Sequence, residues 1–164
     1  MAVGELELVQ SNTLSSASSL NTGVIFDDLY QDYVVNLSNI DDSADRSMSM
    51  RVITGGSPDT GSNYEYAIID MADERGDLNP TGTSQTNFGD KIVSEIPDVP
   101  FSGGNHLRIN SPAISTQYTY VIVSHTFTQT YPLIRHRRGY GVYKQANVVT
   151  GLEFQFSAST TGNK

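Results

Sequence analysis

The chain has no cysteine and no tryptophan among its 164 residues. The first absence excludes disulfide staples, thiolate metal sites, cysteine nucleophiles and thiol redox chemistry. The second removes the strongest stacking platform for sugars and bases and leaves nine tyrosines as a weaker substitute. Charge is scarce as well: 17% of residues are charged, below the roughly 25% of an ordinary domain. Nineteen serines and fifteen threonines fill the gap, so the expected surface is rich in hydroxyls. No stretch approaches the ~20 apolar residues that cross a bilayer. The opening MAVGELELVQ carries Glu5 and Glu7 and lacks the basic start and apolar run of an export signal. A soluble product with no membrane partner, made in a cytoplasm, is the expectation.

What the chain does have is strand-forming material. Val, Ile, Phe and Tyr are plentiful, and these residue types favour a pleated, half-buried surface. Short runs of period two recur between turn signals. Tyr33, Val35 and Leu37 share one face of YVVNLSNI; Met48, Met50 and Val52 alternate with Ser49, Arg51 and Ile53; Tyr64, Tyr66 and Ile68 alternate in YEYAIIDM. Further runs are 90–96, 106–110, 116–128, 133–144 and 148–156, where Leu152, Phe154 and Phe156 alternate with polar residues. GELELV (4–9) and GVIFDDL (23–29) bring the expected total to nine or ten strands. The predicted fold is all-β: a single antiparallel β-sandwich over residues 21–164, jelly-roll-like, preceded by residues 1–20 as an arm or edge strand. GGSPDTGSN (55–63) reads as a hairpin connection, residues 72–87 as a long polar loop, and MADERGDL as the one stretch able to make a helical turn. No fixed-period repeat is present.

Candidate chemistry is thin. His106, His125 and His136 fall in three separate predicted strands without ligand spacing, so no metal or other cofactor is expected. No G-x-S-x-G elbow supports a serine nucleophile, and Asp70, Asp73, Glu74 and Asp77 lack the spacing of a calcium loop. No convergent acid, base and nucleophile is found, and no enzyme is predicted. The net charge is −8. It is unevenly placed, since residues 1–100 hold 17 acids and 4 bases while residues 101–164 hold 6 bases and one acid. The acidic balance argues against direct nucleic-acid binding.

The strongest local signal is IRHRRGYGVYK. Alternation places Arg135 and Arg137 on one strand face and His136, Arg138 and Tyr140 on the other. One reading makes Arg135, Arg137 and Arg138, with Tyr140 and Tyr143 as anchors, a contact strip for an acidic partner surface. The other has these guanidiniums pairing with the chain's own surplus of acids.

Residues 24–67, VIFDDLYQDYVVNLSNIDDSADRSMSMRVITGGSPDTGSNYEYA, resemble the opening β-module of structural proteins from tailed phages, especially marine and cyanobacterial ones. Phe26, Leu29, Tyr30, Tyr33, Met50, Arg51, Val52, Gly55, Gly56 and Tyr64 occupy the places of that pattern. Residues 139–163 resemble the closing strand of the same proteins, with Thr150, Gly151, Leu152 and Phe154 as its core. Met48 and Met50 stand where Leu or Phe is usual, and residues 72–87 have no counterpart. The resemblance covers about half the chain in two blocks. It implies a virion β-sandwich without catalytic residues and does not separate a capsid from a tail component. A compact acidic domain without coiled coil, collagen-like repeat or cysteine makes a capsid decoration (cement) protein the leading expectation, trimeric, bound to the major capsid protein on particles assembled in the host cytoplasm. A tail, neck or fibre-base component is the alternative, and a carbohydrate-binding module using tyrosine platforms is a second.

Overall fold

A computed structural model describes residues 6–13, 18–38, 46–72, 81–89, 94–96, 105–130 and 133–158, with backbone only at 46, 47, 72, 94–96, 127–130, 133–135, 157 and 158. Eleven strands are present among them and no helix: β1 Ser19–Asn21, β2 Asp32–Leu37, β3 Arg46–Thr54, β4 Ser57–Pro58, β5 Tyr64–Ala72, β6 Thr81–Gln85, β7 Ser94–Ile96, β8 Asn105–Asn110, β9 Thr119–Thr130, β10 Leu133–Tyr143 and β11 Gly151–Ala158.

The strands form two antiparallel sheets that pack together. One runs β1-β11-β3-β4, with β7 also pairing along β3; the other runs β2-β8-β9-β10-β5-β6. The chain passes repeatedly between the layers, although β3–β4, β5–β6 and β8–β9–β10 each stay within one, and the last strand, β11, inserts between β1 and β3. β8, β9 and β10 form a three-strand meander in the larger sheet.

The period-two runs pack as alternation requires. Met48, Met50, Val52, Leu152 and Phe154 of the smaller sheet face Tyr33, Ile68, Leu107, Ile109, Val121 and Val123 of the larger one, and all are buried. Val52 and Leu152 are direct cross-strand partners, as are Met50 and Phe154, which gives the sheet its side-chain-paired core. Gly55 and Gly56 turn β3 into β4 with φ of 60° and 85°. Positive φ at both central positions is the two-residue hairpin turn whose twist matches the strands, and glycine adopts it without a Cβ clash.

Four expectations are corrected. Residues 23–29 form no strand. They cross between the layers, with the Ile25 and Phe26 amides both donating to the Thr150 carbonyl and Phe26 buried against Tyr33 at a ring separation of 4.6 Å. The polar stretch 72–87 is not wholly a loop, since Thr81–Gln85 forms the edge strand β6. Its residues are mostly exposed on both faces and carry no apolar alternation to reveal the strand. Residues 6–9 form no strand. Of the stretch read as a helical turn, Met71 and Ala72 belong to β5, and 73–78 lie outside the described residues.

Phe88 plugs the sandwich. It is fully buried, exchanges backbone hydrogen bonds of 2.8 and 2.9 Å with Met50, and meets Tyr64 edge-on. Its ring lies over Gly141 of β10, where an added Cβ would stand 2.6 Å from it. Phe88→Ala is therefore expected to cost roughly 3–5 kcal/mol in urea unfolding. Gly141→Ala is expected to destabilise as well, and the double variant to lose less than the sum of the two, because the new methyl enters the vacated space. Strict additivity would show that the two positions do not share that space.

Candidate contact surface on the six-stranded sheet

Strand β10 carries most of the predicted contact residues, and its pleat divides them. Arg137, Gly141 and Tyr143 are buried, while Arg138 and Tyr140 are exposed. Arg135 is placed only by its backbone, opposite Ala72 and Phe127; its side chain, like all of Tyr131, lies outside the described residues.

Arg137 is not a surface group. It is 0% exposed and its Nε donates to Asp70 Oδ2 at 2.7 Å, with Asp70 1% exposed. Their register brings them together: Arg137 faces Asp70 across β5 on one side and His125 across β9 on the other, and His125 in turn faces Asn105 of β8. A polar row thus crosses four strands on the inner face. Here the guanidinium pairs with one of the chain's own acids, as the alternative reading had it. Desolvation offsets much of such a pair's Coulomb attraction, but removing one partner strands the other charge in the interior.

Tyr143 is likewise internal. Its hydroxyl donates to Asp59 Oδ2, while Asp59 Oδ1 accepts from the Gly61 amide at 2.6 Å and the Asn63 amide donates to Oδ2 at 3.2 Å. The neighbouring Tyr64 hydroxyl donates to the Asp59 carbonyl at 2.8 Å. Burial pushes both phenols well above their usual range, and for Tyr143 the adjacent carboxylate adds to it. Both hydroxyls therefore stay protonated donors at ordinary pH. Burial also raises the Asp59 carboxyl, but the bonds from Tyr143, Gly61 and Asn63 outweigh it and hold Asp59 below the ordinary carboxylate value.

The exposed members belong to a broader patch. On the outer face of the larger sheet, Tyr140 lies opposite Ile122 of β9 and Ala67 of β5, and Arg138 lies opposite Ser124 and Ile69. Tyr120, Ile122, Ile69 and Tyr140 are all exposed, Tyr140 to 58%, with Tyr118 just ahead of β9. Arg138 has no ion-pair partner among the described residues. At the flank, Arg108 pairs with Asp32, and that bond, despite some desolvation and with help from Asn110, holds the Asp32 carboxyl low. Toward β5, Lys144 pairs with Glu65. The result is an apolar and aromatic surface around Arg138, which has no ion-pair partner among the described residues, with large side chains from three adjacent strands standing side by side. Tyr120, Ile122 and Ile69 were not singled out from the sequence, although the two-residue period of β9 and β5 already placed them opposite the buried set.

Among the described residues no group of three or more His, Asp or Glu side chains could hold a metal ion, and no helix is long and apolar enough to cross a membrane. No family model, curated protein or solved structure matches the chain.

Two measurements check these assignments. Asp70→Ala should destabilise the fold by roughly 3–5 kcal/mol, whereas Asp70→Leu combined with Arg137→Met should cost far less, because no buried charge is left over; equal losses from both would place the pair in solvent. Asp59 titrates lower when folded than when unfolded. It thus stabilises the fold above about pH 4 and loses that contribution as pH falls through the folded value. Urea unfolding at pH 7 and pH 3 should show a steeper acid loss for the wild type than for Asp59→Asn.

Proposed function

We propose that this protein is a non-enzymatic structural subunit of a tailed-phage virion, a decoration protein that docks on the major capsid protein through the outer face of its six-stranded sheet. One observation carries the reading: Tyr120, Ile122, Ile69 and Tyr140 form an exposed apolar surface around the unpaired Arg138. Isolated exposed apolar residues are ordinary, but a contiguous patch that joins aromatic side chains to an arginine has the composition of a binding hot spot. The resemblance of residues 24–67 and 139–163 to phage virion modules supports the virion setting.

In this setting the mechanism is mass action. A subunit that binds only the assembled shell stabilises it by RT ln(1 + [L]/Kd), a gain of roughly 2.7 kcal/mol per site when free subunit is a hundredfold above Kd. Arg138, without an ion-pair partner among the described residues, inside an apolar patch suits an acidic, partly apolar protein surface. The chain's net charge of −8 would repel a polyanion.

Exposed tyrosines at 118, 120 and 140 on one face favour a second reading, a glycan platform in which rings stack on sugar faces. The two separate experimentally. Purified protein added to particles lacking it should occupy the shell, and Arg138→Glu or Tyr140→Ala should each weaken occupancy at least about tenfold, the equivalent of 1.4 kcal/mol, with an unchanged melting temperature. Full occupancy by both variants would remove this face as the contact. Glycan binding lost on Tyr120→Ala but kept on Arg138→Glu would select the second reading.

A further inference from the structure

Residues 6–13 belong to no strand and are all exposed, and none of them makes a backbone hydrogen bond to the domain among the described residues. Leu6 is 88% and Leu8 80% exposed, and Val9 is exposed too. The arm's described attachment to the rest of the chain is the Tyr30 hydroxyl, which donates to the Glu7 carboxylate. Leu6-Glu7-Leu8 has the alternation of a half-buried strand, yet it has no sheet to belong to.

An acceptor for it exists on the same molecule. β2 is the outermost strand of the six-stranded sheet and pairs with β8 alone; no backbone bond reaches its other edge among the described residues. Its inward side chains Val35 and Leu37 are only half buried, at the rim of the core. A strand added there with Leu6 and Leu8 turned inward would extend that rim.

We infer that the arm of one copy adds as a strand to the β2 edge of a second copy. Three points favour a second copy over an unrelated partner. Strand donation needs a free donor and a free edge, and among the described residues this chain presents both. Donor and acceptor lie close together, because the Tyr30 hydroxyl on Glu7 sets the arm at the residues that lead into β2. Reciprocal exchange across a symmetry axis is therefore open, with the same patch used by each subunit. Finally, two exchanged arms of eight residues, each about 26 Å long, would bury on the order of 1,000 Å² in total, the size at which a specific interface begins.

Light scattering on the isolated full chain, with no particles present, should return a small closed multiple of 17.9 kDa. Removal of residues 2–13, or Leu6→Asp together with Leu8→Asp, should return the single-chain mass with the strand content of the fold retained by circular dichroism. Hydrogen exchange supplies the second readout: amides of β2 should be protected in the full chain and exchange at least tenfold faster in the shortened one. A single-chain mass for the full protein at every concentration overturns the inference. So does a multimer that survives arm removal with β2 protection unchanged. A full chain that is monomeric, and whose shortened form fails to occupy shells, would assign the arm to the particle, overturning strand exchange while leaving the shell reading intact.

Discussion

The two-residue alternation of β9 and β10 is the constraint on which the rest of the structure depends. A strand must send successive side chains to opposite faces, so once Val121 and Val123 enter the core, Tyr120 and Ile122 have to leave it. The same rule in β10 buries Arg137 and Tyr143 and puts Arg138 and Tyr140 outside. A slip of one residue would exchange the two sets at once, leaving a guanidinium outside and two tyrosines swapped across the sheet. The buried Arg137–Asp70 pair opposes such a slip, because both partners reach each other only in the observed register. The pair contributes less by net attraction than by the cost of every arrangement that separates its charges.

Sandwich architecture was legible because apolar alternation is the signal that burial imposes on a strand. Met48-Met50-Val52 and Leu152-Phe154 are examples, and both runs sit in the core as their period required. β6 was not legible, since a short edge strand that is mostly exposed has no such period; of the two readings of residues 1–20, the edge strand holds for β1, whose Leu20 packs against the core. The loss of a strand at 23–29 has a related cause: Ile25 and Phe26 are apolar because one of them plugs the core between layers, and burial of a connection looks like burial of a strand.

Within the contact strip, the sequence placed each residue on its face but left open which face was inner. That information was present in an indirect form. Asp70 follows Tyr64 and Ile68 at even spacing, and Arg137 precedes Tyr143 at even spacing, so two opposite charges occupied the aromatic-bearing parity of two strands. Pairing of β5 with β10 was the missing fact, because partner choice in a sheet arises from long-range topology and leaves no local trace. The free charge and the paired one in R-R therefore differ only by which neighbour the fold supplies.

Tyr140 stands between Gly139 and Gly141, a setting that in an isolated strand would leave its backbone loose. Here both glycines are hemmed in from the interior. A Cβ on Gly139 would collide with the Ala67 and Ile68 backbone, and one on Gly141 with the Phe88 ring. The ring is thus mounted on a clamped segment whose disorder was surrendered during folding, so a partner meeting it has little ordering of that segment left to impose.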